Sequence, residues 1–185
     1  MAKNKAVFGI YRTQAGVENA VSMLRDESFS SSDVAVLLPE SVNSRDLGTV
    51  KATKAPEGAT AGAGSGAVIG GVLGWLVGIG SLAIPGLGPF IAAGPIMAAL
   101  AGVGVGGAMG GLAGALVGMG IPEYEAKRYE GRIGKGAILL SVHCDTSQEI
   151  DRATKILERT GAEDISTATE SSARGTTRTA TPGRS

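Results

Sequence analysis

The feature that most constrains this chain is a run of 65 residues, between Glu57 and Glu123, that contains no Asp, Glu, Lys or Arg. The surface of a soluble domain is normally rich in such residues. Within the run, glycine recurs at every fourth position in two registers of five: Gly62, Gly66, Gly70, Gly74 and Gly78, then Gly102, Gly106, Gly110, Gly114 and Gly118. A spacing of four places these glycines on one stripe of a helix, where a second helix can approach closely. We therefore interpret the ten glycines as helix-packing residues.

A stretch rich in proline and glycine separates the two registers. Pro85, Pro89 and Pro95 lie in it with three glycines, a composition that breaks helices and reverses the chain. Two helices of roughly 23 residues would result, each about 35 Å long at 1.5 Å per residue. The sequence therefore predicts a glycine-zipper helical hairpin over residues 58–121, with the three prolines in its turn.

Glycine content and hydrophobicity together favour a lipid environment for this hairpin. Ten glycines impose on the order of 10 kcal/mol on helices in water, whereas a bilayer enforces helicity because it leaves the backbone no water to bond. Residues 67–84 are hydrophobic enough for a membrane span. Residues 96–119 are mostly Gly, Ala and Met, and their hydrophobicity is marginal for one. We expect a membrane-embedded hairpin, either spanning or re-entrant. In the alternative, hairpins from several copies form the core of a soluble homo-oligomer.

Basic residues on both sides of the hairpin indicate its orientation. Lys51 and Lys54 precede it, and Lys127, Arg128 and Arg132 follow it. By the positive-inside tendency, both termini are expected on the cytoplasmic side of the cytoplasmic membrane. The alternative location is the cytoplasm, which a chain with one cysteine and no internal disulfide fits.

The two ends of the chain have the alternating strand and helix patterns of βαβ units. Residues 1–40 carry a β-branched and aromatic strand, an amphipathic helix and a second strand. Residues 122–170 begin with a connecting helix, whose inner face is Ala126, Tyr129 and Ile133, and then repeat the pattern. We call these two halves together the α/β lobe. Residues 41–57 are a linker, and residues 171–185 are a tail that buries too little apolar surface to order itself.

Two βαβ units usually complete a four-stranded sandwich. The predicted fold class is therefore α+β, a ferredoxin-like βαβ-βαβ sandwich with the glycine-zipper helical hairpin inserted between its halves.

Few side chains are placed for chemistry. His143 and Cys144 are neighbours at the end of a strand, and no second His or Cys exists to complete a metal set. Asp145 and Glu149 begin a helix, where capping and the helix dipole account for them. The tyrosines at 124 and 129 are interpreted as anchors of a helix at a membrane boundary. The sequence thus predicts no catalytic site, no cofactor and no metal.

Two blocks of the lobe resemble a known family. Residues 6–11 and 33–37, with the helix between them, are similar to the N-terminal domain of bacterial general stress proteins of the heat- or cold-induced type. Residues 120–130 and 134–142 resemble the segment that follows the glycine-rich region of those proteins. The resemblance covers most of residues 5–169. It implies a bacterial protein linked to stress or envelope maintenance, without an established enzymatic activity or functional residues to carry over.

These observations lead to one expected function and one alternative. We expect a non-enzymatic, stress-associated membrane protein that anchors and self-associates through the hairpin and presents a cytoplasmic α/β interaction module. The alternative is a soluble homo-oligomeric module that binds a ligand or partner and whose zipper forms the oligomer core. A net charge of zero gives no electrostatic case for nucleic acid, and the sequence does not identify a small-molecule ligand.

Overall fold

A computed structural model of the chain describes residues 5–39, 75–76, 80–84, 87–94, 111–118 and 120–169. Within these residues the fold is α+β, with one antiparallel sheet of six strands and four helices. In chain order the elements are β1 (Lys5–Tyr11), α1 (Gln14–Asp26), β2 (Val34–Pro39), β3 (Gly80–Ile84), β4 (Gly88–Ala93), α2 (Leu112–Gly118), α3 (Glu123–Ile133), β5 (Ile138–Cys144), α4 (Ser147–Arg159) and β6 (Glu163–Thr169).

Local sequence signals fix where the helices of the lobe begin. The Thr13 hydroxyl accepts a hydrogen bond from the Gly16 amide, 3.2 Å away, at the start of α1. Helix α4 begins with a capping box, in which Thr146 and Glu149 each bond the other's backbone amide. Helix α4 begins within the segment that the sequence predicts, between Asp145 and Glu149.

The strands lie in the order β3-β4-β2-β5-β1-β6. Strand β5, from the second half of the lobe, pairs with β1 on one side and with β2 on the other. Strand β6 pairs with the free side of β1. The two βαβ units therefore interlock, and neither half of the lobe can complete its hydrogen bonding without the other.

Helices cover both faces of this sheet. On one face, α1 and α4 pack against alternate strand residues that include Val7, Val36 and Leu140. On the other, α2 and α3 pack against residues that include Phe8 and Leu37. Strands buried on both faces carry continuous apolar runs, and every residue of β2 is buried. The predicted inner face of the connecting helix is confirmed, since Ala126, Tyr129 and Ile133 are all buried.

Residues 80–93 differ from the prediction. Residues 80–84 and 88–93 are paired antiparallel strands and not part of a helical hairpin, and β4 continues the sheet by pairing with β2 from Pro39 opposite Phe90 to Val36 opposite Ala93. Pro89, which was predicted to lie in a turn between helices, is a residue of strand β4. The physical reason is the free side of β2, which offers hydrogen bonds to a strand and burial to Ile84, Phe90 and Ile91.

Of the second glycine register, the structure describes Gly114 and Gly118, and both lie in helix α2. Gly111 has a φ of +97°, so no α-helix continues through it, and the predicted helix over residues 96–119 is wrong at this point. Helix α2 begins at Leu112, where the Glu130 carboxylate accepts a hydrogen bond from the Ala113 amide at 3.2 Å. It buries Leu112, Ala113, Ala115 and Leu116, while Gly118 is exposed and a methyl group there would touch nothing within 4 Å.

The other predicted packing and turn residues lie outside the described residues. They are Gly62, Gly66, Gly70, Gly74, Gly78, Gly102, Gly106, Gly110, Pro85 and Pro95. The predicted linker over residues 41–57 and the tail over residues 171–185 lie outside as well. Among the helices that the structure describes, none has the length and apolar character needed to cross a membrane.

The pairing of β4 with β2 can be tested by substitutions at two glycines with positive φ. A methyl group at Gly94 would collide with the Val34 carbonyl and lie 2.7 Å from Ala35 Cα, whereas one at Gly88 would meet nothing within 4 Å. Both Gly→Ala substitutions cost roughly 1–2 kcal/mol of backbone strain. Gly94→Ala should cost a further 1–3 kcal/mol or so through overpacking. Urea denaturation measures both, and equal losses would contradict the pairing of β4 with β2.

Candidate functional site

The edge strand β6 contains a β-bulge where it passes Gly9 of β1. Two residues of β6, Asp164 and Ile165, lie opposite this one glycine. Asp164 has a φ of +51°, in the left-handed region that few residues other than glycine adopt. A bulge of this kind turns a side chain away from the regular alternation of the strand. Here it brings the Asp164 carboxylate to helix α3.

Glycine is required at position 9 because α4 lies close to β1. A Cβ atom at Gly9 would lie 2.8 Å from Leu157 Cδ2 and 3.0 Å from the Ala162 side chain. The first distance is shorter than real Cβ contacts and the second is tighter than most of them, so with a larger residue the Leu157 side chain and the chain at Ala162 would have to shift. The close approach at Gly9 therefore helps fix the path of the chain from α4 into the bulge.

A chain of ion pairs holds the bulge against α3. The Asp164 side chain is only 9% exposed and pairs with Arg128 and, at 2.8 Å, with Arg132 Nε. The Glu163 carboxylate lies 2.5 Å from Arg132 and 2.7 Å from Arg12 Nε. A buried carboxylate is costly unless it is paired. These guanidinium groups supply that pairing, so the bulge depends on them.

The same contacts change the acidity of Glu163. Hydrogen bonds from Arg132 and then Arg12 lower the pKa of this carboxyl below its usual value. A lowered pKa means that the pairing stabilises the fold above the pKa of an unfolded glutamate and is lost as pH falls through the folded value. The ion pairs are therefore present at neutral pH and weaken in acid.

Tyr129, on helix α3, fixes the backbone of the bulge through its hydroxyl group. Its hydroxyl donates to the Asp164 carbonyl oxygen at 2.5 Å and lies 3.0 Å from Ser166 Oγ. The ring is buried against the sheet, and this burial raises the pKa of the phenol. The hydroxyl therefore stays protonated and remains a donor. Tyr129 does not anchor a membrane boundary as predicted, whereas Tyr124 is 77% exposed.

Helix α3 and the bulge enclose a cavity of about 210 Å³, which we call the α3–β6 cavity. Glu125, Arg128 and Tyr129 line it from α3, because residues three and four apart share one helix face. From β6 it is lined by Asp164, Ile165 and Ser166. The Glu125 carboxylate is half-buried and makes no hydrogen bond or ion pair with the described residues. The cavity thus presents both signs of charge and a hydroxyl group.

A second, smaller cavity lies where β5 meets α4. It has a volume of about 70 Å³ and is lined by Ser28, Phe29, Asp33, His143, Asp145, Glu149 and Arg152. Glu149 is occupied by the capping box, and the Arg152 guanidinium lies 5.5 Å from the centre of the Phe29 ring. These contacts account for both side chains structurally. Within the described residues, no three His, Cys, Asp or Glu side chains are grouped to hold a metal ion.

The predicted helix-packing and turn residues do not coincide with the residues of the cavity. Of the predicted packing and turn residues, Gly114, Gly118 and Pro89 are described, and none of them lines the α3–β6 cavity. Sequence reasoning missed Asp164 because nothing in the sequence marks it as bulged. The one available signal was the 3–4 spacing of Glu125, Arg128 and Tyr129 on α3.

Replacing Asp164 with Asn should destabilise the fold. The substitution keeps the shape and tolerates a positive φ but removes the charge that pairs with Arg128 and Arg132. We expect a loss of about 2 kcal/mol in the free energy of unfolding, measured by urea denaturation. Asp26→Asn is the matched control, since Asp26 is exposed and lies 3.9 Å from Arg25, and it should change little. Equal effects of the two substitutions would show that the bulge does not depend on its ion pairs.

Comparison with known proteins leaves the chain without an assigned family. No family model, no curated protein and no solved structure matches it. The resemblance to bacterial general stress proteins therefore stays a prediction.

Proposed function

We propose that this protein is a non-enzymatic, self-associating binding module. Its glycine-rich segments join copies of the chain, and its α/β lobe carries the recognition site. The observation that carries the proposal is that the uncharged run is packed into the lobe at three places, which are Trp75–Leu76, the β3–β4 hairpin and α2. The lobe and the run therefore act as one unit.

The lengths of chain between these places favour association of copies over crossing of a bilayer. Residues 95–110 connect β4 to α2, and residues 40–74 connect β2 to Trp75, which gives stretches of 16 and 35 residues. Each stretch begins and ends at the same lobe, so a crossing must be followed by a return. Two spans need roughly 40 residues, at about 20 for each helix. Both stretches are shorter.

The energetics of glycine also require a partner surface. Each helical glycine costs roughly 1 kcal/mol relative to alanine, so a stripe of them needs close packing to offset that cost. A stripe on a second copy provides this packing through backbone contacts and dispersion. Homo-oligomerisation through Gly62–Gly74 and Gly102–Gly110 is therefore the form of association that we propose.

The architecture of the lobe supports its role in binding. We infer a ferredoxin-like core, because the order β2-β5-β1-β6 with α1 and α4 on one face is the arrangement of two interlocked βαβ units. The β3–β4 hairpin is then an extension at the β2 edge. The predicted link to bacterial stress is part of this proposal and rests on the resemblance alone.

Self-association can be tested by sizing the full chain with light scattering. We expect the natural sequence to form an oligomer. The double variant Gly70→Leu and Gly74→Leu should form a smaller species or assemble at least tenfold more weakly, because the added side chains hold helices apart. Gly131→Leu is the control, since Gly131 is an exposed helical glycine outside both registers and a methyl group there meets nothing within 4 Å. A monomeric natural chain, or an unchanged double variant, would refute the proposal.

A second candidate is a stress-associated protein anchored in the cytoplasmic membrane by a re-entrant segment. It is favoured by the 65 uncharged residues and by the basic residues on either side of them. The two candidates differ in what surrounds Trp75, the only tryptophan of the chain. In the structure Trp75 packs against the core on the α1–α4 face of the sheet.

Quenching of Trp75 by lipid separates the candidates. With vesicles of brominated phospholipid, we expect the fluorescence of the full chain to match that with unbrominated vesicles of the same composition, because the ring packs against the protein core. Bromine quenching, together with retention of the protein in carbonate-washed membranes, would instead support the membrane-anchored form.

A further inference from the structure

We propose that the α3–β6 cavity binds a small zwitterion of the amino-acid type. The inference deepens the proposed function, since it names what the lobe recognises. It rests on one juxtaposition: an unpaired half-buried carboxylate, Glu125, and an arginine with spare donors, Arg128, both facing a cavity of about 210 Å³.

Glu125 supplies the site for a ligand ammonium group. It is half-buried, and neither an ion pair nor a hydrogen bond joins its carboxylate to the part of the chain that the structure describes. Its neighbours on α3 contrast with it, since Glu123 pairs with Lys127 at 2.6 Å and Glu130 caps α2. A carboxylate accepts up to about four hydrogen bonds. An ammonium group therefore gives Glu125 the partner that the fold does not.

Arg128 supplies the site for a ligand carboxylate. Asp164 uses one edge of its guanidinium, and the side chain is still 45% exposed. Arginine carries five N–H donors in a planar fork, and the ion pair with Asp164 holds this fork in place. Arg128 also lines the cavity, so its remaining donors can bind a ligand carboxylate there through two parallel bonds. The guanidinium is thus oriented before any ligand arrives.

The remaining lining restricts the ligand to a small molecule. Ser166 adds a hydroxyl group that already lies near Tyr129, and a volume of about 210 Å³ admits only a small ligand. Asp164 is neutralised by Arg128 and Arg132, so the charges left for a ligand are one of each sign. A dianion would face Glu125, and a simple amine would leave Arg128 unused. A molecule with both groups satisfies the two sides together.

Calorimetric titration of the full chain tests this inference. The probes are L-alanine, L-leucine and L-glutamine, with 3-methylbutylamine and 4-methylpentanoate as the analogues of leucine that lack its carboxylate and its ammonium group. We expect at least one of the three amino acids to bind. Leucine should bind on the order of tenfold more tightly than either analogue, because each analogue loses one charge-assisted bond.

Two variants assign the binding to the cavity. Glu125→Gln should raise the Kd on the order of tenfold or more, and Arg128→Lys should raise it as well because the planar fork is lost. Glu123→Gln on the same helix lies outside the cavity and should leave the Kd unchanged. Melting followed by circular dichroism establishes that each variant is folded.

The outcomes separate this inference from the proposed function. No heat with any amino acid, equal affinity for the amine or the acid alone, or an unchanged Kd in Glu125→Gln would overturn it. Sizing of the same samples reports on self-association independently. An oligomer that binds none of the probes would refute only the ligand class, whereas a monomer that binds leucine would refute the assembly.

Discussion

The ladder between β1 and β5 is the interaction on which the rest of this structure depends. It joins residues near the start of the chain to residues about 130 positions later, from Lys5 opposite Cys144 to Tyr11 opposite Ile138. Such distant pairing brings a large entropic cost of loop closure, which the burial of both faces of the sheet must offset. Once β1 and β5 are paired, β2 can add to the free side of β5 and β6 to the free side of β1. The uncharged run is then held with both of its ends at one lobe.

Because both ends of the uncharged run are held at one lobe, fewer arrangements are open to it than its composition alone would allow. Taken alone, 65 residues without a charge are enough for two membrane spans. With β3–β4 on the edge of β2 and α2 on α3, part of its apolar surface is already covered by protein. Ile84, Phe90, Leu112 and Leu116 stabilise the lobe, and they are not available to lipid. The stretches of the run that lie between these contacts are each shorter than two membrane spans require.

An element can be predicted from sequence when the interactions that form it are local, and not when they involve distant parts of the chain. Helices α1 and α4 and strands β1, β2 and β5 are local patterns with caps and apolar periods, so the sequence predicted them. Strands β3 and β4 depend on the free edge of β2, more than 40 residues away, and a repeat of glycine every four residues does not contain that information. The bulge at Asp164 depends on Gly9 and on the end of α4. Local sequence therefore could not show the α3–β6 cavity, although it placed three of its residues on one helix.

The bulge gives Asp164 a positive φ and a buried charge, both of which cost free energy. This cost indicates that the bulge has a function. A regular β6 would leave Asp164 in the ladder without a positive φ and without a buried charge to neutralise. The structure instead places this carboxylate between Arg128 and Arg132 and bonds its carbonyl to a buried tyrosine. Strained backbone persists where the surroundings over-determine it, and such places cluster at ligand sites. In this lobe the strain orients a guanidinium beside an unpaired carboxylate, which is the arrangement that a preformed binding site requires.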